Sequence, residues 1–117
     1  MATPTEVQVT VAYNGGDPTV IPDTARVRKG GRIAFLCADA SLVIVCQYNR
    51  KGAIPKDHCP FSRAGSVFSV PQNQLVSHRV KNTSAIVDTP YKYTIVMIPD
   101  SDGKMRALDP TIIIKQT

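Results

Sequence analysis

A chain of 117 residues is long enough for one domain with its own hydrophobic core, and 43% hydrophobic with 20% charged residues excludes a disordered or low-complexity scaffold. No apolar run approaches the roughly 20 residues of a membrane-crossing helix, so no membrane partner is expected, and the formal net charge of +5 points to a basic surface. Three cysteines without a dense spacing suit a reducing compartment better than a disulfide framework, and with no basic-then-apolar leader after Met1 the chain reads as cytoplasmic; the alternative is a mature secreted domain with an added start Met.

Residues 5–13 alternate strictly, with Val7, Val9, Val11 and Tyr13 on one face, and predict a half-buried strand. Asn14-Gly15-Gly16-Asp17-Pro18 is a turn cluster. Val20-Ile21-Pro22-Asp23 leads to a short strand over 25–28, a tight reversal at Lys29-Gly30-Gly31, and a strand over 32–37. The β-branched run 42–48 is too short for a helix and rich in strand formers. Further strands are expected at 66–70, more weakly at 76–80, then at 85–87, 91–98 and 111–115, with five prolines in the connections and Asp102-Gly103 as a turn. No window carries apolar residues at helical spacing with capping signals, so nothing longer than one helical turn, in 50–65 or 71–76, is expected. About eight short strands separated by Gly and Pro turns predict a single all-β domain over 1–117, an antiparallel Greek-key sandwich or small barrel.

Two segments carry a family resemblance. Residues 22–35 (Pro22-Asp23-Thr24-Ala25-Arg26-Val27-Arg28-Lys29-Gly30-Gly31-Arg32-Ile33-Ala34-Phe35) resemble the opening of cupredoxins, where a Pro-led alternating strand reaches a Lys-Gly turn before a strand ending in an aromatic. Tyr91-Lys92-Tyr93 resembles the late Tyr-x-Tyr strand of that family, and 111–115 its closing strand. The resemblance implies a cupredoxin-like Greek-key sandwich; an immunoglobulin-like sandwich is the alternative, because it shares these motifs. A blue-copper site needs a His after the Lys-Gly turn, then a late Cys, His and usually Met. Residues 41–45 contain no His, and 94–105 contain Met97 and Met105 but neither Cys nor His. The implied fold therefore comes without that copper site.

Other chemistry has few candidates. His58 and Cys59 are adjacent in Pro55-Lys56-Asp57-His58-Cys59-Pro60-Phe61, so in extended backbone they point to opposite faces and do not chelate together easily. Further ligands would come from Cys46, Asp57 or His78, none at zinc-finger spacing, and a thiol–imidazole pair would have to join His78 to Cys59 with Asp57 orienting the ring. If 33–37 and 42–48 form a hairpin across Asp39-Ala40, Cys37 and Cys46 share a face about four residues apart, at roughly 3.3 Å each, beyond disulfide reach. Both then read as core residues, and Cys59 as the exposed, reactive thiol.

The charge is concentrated in the middle: 26–81 holds ten bases against Asp39 and Asp57, while 1–25 holds three acids and no base. The surface expected to contact a partner is the 50–63 loop, through Arg50, Lys51, Lys56, His58, Phe61 and Arg63. Phe35, Phe68 and Tyr93 point inward by alternation, which leaves Tyr48 and Phe61 as the rings near those bases. The runs Val43-Ile44-Val45 and Ile112-Ile113-Ile114 call for cover on both faces, from a loop or from a second copy in a homodimer. These observations predict a non-enzymatic binding or assembly module with no catalytic residue, metal or cofactor, whose partner is a protein or a second copy. One alternative is a small zinc- or thiol-dependent protein using Cys46, His58, Cys59 or His78. The other is a nucleic-acid- or anion-binding protein using the basic loop.

Overall fold

The computed structural model describes residues 3–13, 18–46, 60–62, 67–83, 87–88, 90–98 and 106–117. Within them the chain forms β1 (Glu6–Ala12), β2 (Thr19–Ile21), β3 (Thr24–Arg28), β4 (Arg32–Cys37), β5 (Ser41–Cys46), β6 (Val67–Val70), β7 (Val76–Arg79), β8 (Pro90–Ile98), β9 (Arg106–Leu108) and β10 (Thr111–Lys115). No helix occurs among these residues, and so none is long and apolar enough to cross a membrane.

Two sheets face each other. The first has the order β2-β1-β4-β7 and the second β3-β10-β8-β5-β6, with β9 also on β8. The strands alternate because each sheet has one face in the core: Val9 and Val11 of β1, Ile33, Phe35 and Cys37 of β4, Leu42, Ile44 and Cys46 of β5, and Tyr91, Tyr93, Ile95 and Met97 of β8 are all buried. Phe35 spans the two sheets. Its ring lies 5.9 Å from Tyr93, 5.6 Å from Phe68 and 6.1 Å from Phe61, all in the tilted or edge-on geometries that aromatic quadrupoles favour.

The pairing departs from the expected antiparallel pattern at two places. β1 runs parallel to β4 (Val9↔Phe35), and β3 parallel to β10 (Val27↔Ile114), so both sheets are mixed. The expected hairpin across Asp39-Ala40 is also replaced. β4 pairs with β1 and β7, β5 pairs with β6 and β8, and Ala38-Asp39-Ala40 carries the chain from one sheet to the other. Cys37 and Cys46 are therefore in opposite sheets, both buried and neither in a disulfide, which agrees with their reading as core residues. An alternating pair of strands cannot distinguish a hairpin from such an arch, since both bury every second side chain.

Two elements lay outside the expected set. β2 is a three-residue edge strand on β1, and β9 pairs with β8 through Val96↔Ala107. β9 and β10 keep one register against β8, from Ile95↔Leu108 to Lys92↔Thr111. Asp109-Pro110 interrupts it because proline has no N–H to give the ladder, although the Tyr93 N–H still reaches the Pro110 carbonyl at 3.1 Å. The two continuous apolar runs are only partly covered: Ile44, Ile112 and Ile114 are buried, while Val43, Val45 and Ile113 on the outer face are half-buried.

Candidate functional site: a basic end of the sandwich

Lys29-Gly30-Gly31 joins β3 to β4, and two physical constraints select its glycines. Gly30 has φ +77°, a left-handed conformation that costs a residue with a Cβ. Gly31 is packed so that a Cβ would run into the Thr5 carbonyl and come within 2.9 Å of the Arg28 carbonyl. That close approach lets one turn gather three other chain segments by backbone hydrogen bonds: Arg28 N–H to Pro4 O at 2.9 Å, Arg32 N–H to Thr5 O at 2.8 Å, Gly30 N–H to Lys81 O at 3.1 Å, Val80 N–H to Gly31 O at 2.9 Å and Lys29 N–H to Lys115 O at 2.8 Å.

The turn, the 79–81 segment and the end of β10 bring cations, whereas the segment at Pro4 and Thr5 brings none. Arg28, Lys29, Arg32, Arg79, Lys81 and Lys115 meet at this end, against the two acids Glu6 and Asp88. Lys115 Nζ is 2.6 Å from Asp88 Oδ1 in an exposed pair. Arg28, Lys29, Arg32 and Arg79 form no ion pair among the described residues. The sharpest feature is on the outer face of the first sheet, where Arg32 lies directly opposite Arg79 on antiparallel strands and Glu6 is the partner of Arg32 on the other side. Like charges in directly opposed cross-strand positions are destabilising, a cost that the Glu6 carboxylate, across from Arg32 but not from Arg79, offsets only in part.

Residues 60–62 of the expected partner loop adjoin the same end. Pro60, Phe61 and Ser62 run antiparallel beside 79–81: Ser62 N–H donates to Arg79 O at 3.0 Å, Lys81 N–H donates to Pro60 O at 2.7 Å, and Phe61 bridges Val80. Of the predicted contact residues only Phe61 is among the described ones. It is 3% exposed and packs on Phe35, Phe68 and His78, so it anchors the chain in the core and presents no ring to a partner. Arg50, Lys51, Lys56, His58, Cys59 and Arg63 lie outside the described residues, as do Tyr48 and Asp57. The bases of the turn and of β7 were missed as a site because 50–63 drew attention as a cluster in sequence, whereas 28–32, 79–81 and 115 cluster only through long-range pairing.

His78 points inward from β7 toward Phe68 (4.4 Å between ring centroids) and Phe61 (6.1 Å), and burial lowers its pKa below the ordinary imidazole value. Cys46, the other described member of the zinc- or thiol-dependent set, is on β5 in the opposite sheet. Tyr93 is buried with its hydroxyl unpartnered among the described residues; burial first, then the charges of Cys46 and Asp23, raise its pKa and keep the phenol neutral.

The opposite end is built from internal hydrogen bonds. Asp39 Oδ2 accepts the Tyr13 N–H at 2.9 Å, and Ser41 Oγ accepts the Gln72 N–H at 3.2 Å. Gln72 Nε2 donates to Ala38 O at 3.2 Å, Asn73 N–H donates to Cys37 O at 2.8 Å, and the Arg106 guanidinium sits 4.5 Å above the Tyr13 ring. Here the donor set does not fit copper. Residues 41–45 offer one hydroxyl, already accepting a hydrogen bond, and apolar side chains; Met97 is fully buried in the core. Among the described residues no group of three or more His, Cys, Asp or Glu is placed to hold a metal ion.

No protein-family model and no curated protein matches the sequence. Solved structures do: the dithionite-reduced auracyanin of the photosynthetic bacterium Roseiflexus castenholzii aligns over 97% of this chain and 98% of its own, with TM-score 0.51 and 10% identity. The fold is cupredoxin-like. Auracyanin B aligns more loosely, over 98% of this chain and 92% of its own, with TM-score 0.43 and 8% identity. The cupredoxin-like architecture expected from 22–35 and 91–93 is thus the observed one, and the immunoglobulin-like alternative is set aside. At this identity the likeness extends to the fold alone.

Proposed function

We propose that this chain is a non-enzymatic binding module that uses a copper-free cupredoxin-like sandwich to present a basic end to an anionic partner. The observation that carries this reading is the Arg32–Arg79 pair, two cations held face to face with no ion pair among the described residues, beside Arg28 and Lys29 in the same state. A local arrangement that opposes stability is expected where function needs it. Support for a binding role over catalysis comes from the described thiols, both buried, and from His78, whose contacts among the described residues are aromatic rings. The predicted 50–63 surface belongs to this proposal, since 60–62 is tied to the same end.

Retention on an immobilised sulfated polysaccharide tests the reading. Lys29→Gln with Lys81→Gln should elute at clearly lower salt than the unmodified protein. Lys92→Gln with Arg106→Gln, an equal change in net charge away from this end, should elute close to it. Equal losses in the two double variants would mean that net charge alone governs retention, and would overturn the proposal.

A further inference from the structure

We infer that the partner of the basic end is an acidic protein segment carrying clustered carboxylates, which docks across the Arg79–Arg32 row of the first sheet. This rests on the reading of that end as the partner surface and adds the class of partner.

Three observations favour carboxylates over a nucleic acid. The opposed positions are both arginine, whose planar fork matches a carboxylate with two parallel hydrogen bonds, and neighbouring strands set them about 5 Å apart, close enough for one acidic cluster to engage both. The row ends on Glu6, directly across from Arg32, which repels a phosphate backbone continuing along it. An acidic segment of limited length can stop short of Glu6, so that the same carboxylate fixes its register. Single-stranded nucleic acids are held largely by stacking on exposed rings, and this end has none among the described residues: Phe61, Tyr91, Tyr93 and Phe35 are buried, and Phe68 is half-buried.

The experiment is fluorescence anisotropy of a labelled Glu-rich peptide and of a DNA oligonucleotide of equal formal charge, each titrated with the full chain at low salt. The peptide should bind more tightly than the DNA. The Arg32→Gln/Arg79→Gln variant should lose about tenfold in peptide affinity, since charge-assisted hydrogen bonds are removed from both sites. Arg32→Lys/Arg79→Lys, which keeps the charge and loses the fork, should fall between that variant and the unmodified protein. Lys92→Gln should change little, and circular dichroism should show every variant folded. DNA binding that exceeds peptide binding would overturn this inference while leaving an anion-binding end. No binding to either probe would remove the basic-end reading itself. Peptide binding unaffected by both double variants would place the contact elsewhere and contradict the inference.

Discussion

The turns at 29–31 and 38–40 both carry the chain from one sheet to the other, yet they dispose of charge in opposite ways. At 38–40 the Asp39 carboxylate takes the Tyr13 N–H, Ser41 takes the Gln72 N–H, and Arg106 covers the Tyr13 ring. At 29–31 the backbone groups are equally well satisfied, but the side chains are not: Arg28, Lys29, Arg32 and Arg79 stand without an ion pair among the described residues. The difference teaches that hydrogen-bond satisfaction and charge satisfaction are separate. One end uses its polar side chains to hold the fold; the other relies mainly on its backbone, with the Lys115–Asp88 pair beside it, and leaves four of its cations without an ion pair among the described residues.

Substitutions can break that contrast. Gly31→Ala should have the largest effect, because the new Cβ meets the Thr5 and Arg28 carbonyls, both backbone atoms that cannot move aside alone. A loss of about 3 kcal/mol in urea denaturation is expected, at the upper end for overpacking. Stability unchanged by the substitution would mean that the turn does not bind the three segments together as described. Asp39→Ala should cost about 1–2 kcal/mol, for a charge-assisted hydrogen bond lost and a Tyr13 N–H left without its acceptor, and should leave polyanion retention as it was. A change in retention would put the partner surface at the wrong end.

A smaller loss should come with acid. His78 has its pKa lowered by burial, so between its folded value and the ordinary value of 6.5 the unfolded chain binds more protons than the folded one. The contribution is therefore complete above the unfolded pKa and is lost as pH falls through the folded one. Thermal midpoints measured from neutral to mildly acid pH should decline across that window, and His78→Phe should flatten the decline. A variant with the same pH profile would assign it to other groups. Last, Arg79→Gln should stabilise the fold by about 0.5 kcal/mol at low salt, since it relieves a like-charge cross-strand pair. The gain should fade as salt screens the repulsion. Destabilisation at low salt would show that Arg79 makes an attractive contact.

Much of the fold was legible because burial has a local signature. The alternation of Val7, Val9 and Val11, of Ile33 and Phe35, and of Tyr91, Tyr93 and Ile95 marks strands whatever their partners. Sheet membership has no such signature, which is why the arch at 38–40 read as a hairpin and the parallel pairings of β1 with β4 and β3 with β10 went unseen. β9 stayed hidden because Arg106-Ala107-Leu108 is too short to show a period and Pro110 cuts it from β10. The candidate site was legible as an excess of bases in 26–81, but its position required Arg32 to be set against Arg79 and Lys29 against Lys115. Phe61 shows the opposite error: its polar neighbours in sequence suggested exposure, while the pairing of 60–62 with 79–81 puts its ring in the core.

The most direct test of the account is a map of backbone amide chemical shifts as a Glu-rich peptide is added to the full chain at low salt. Perturbations should gather on Lys29, Gly30, Arg32, Arg79, Lys81 and Lys115, while Asp39, Ala40, Ser41, Gln72 and Asn73 stay in place. Perturbations centred on the second group, with the first unmoved, would contradict it.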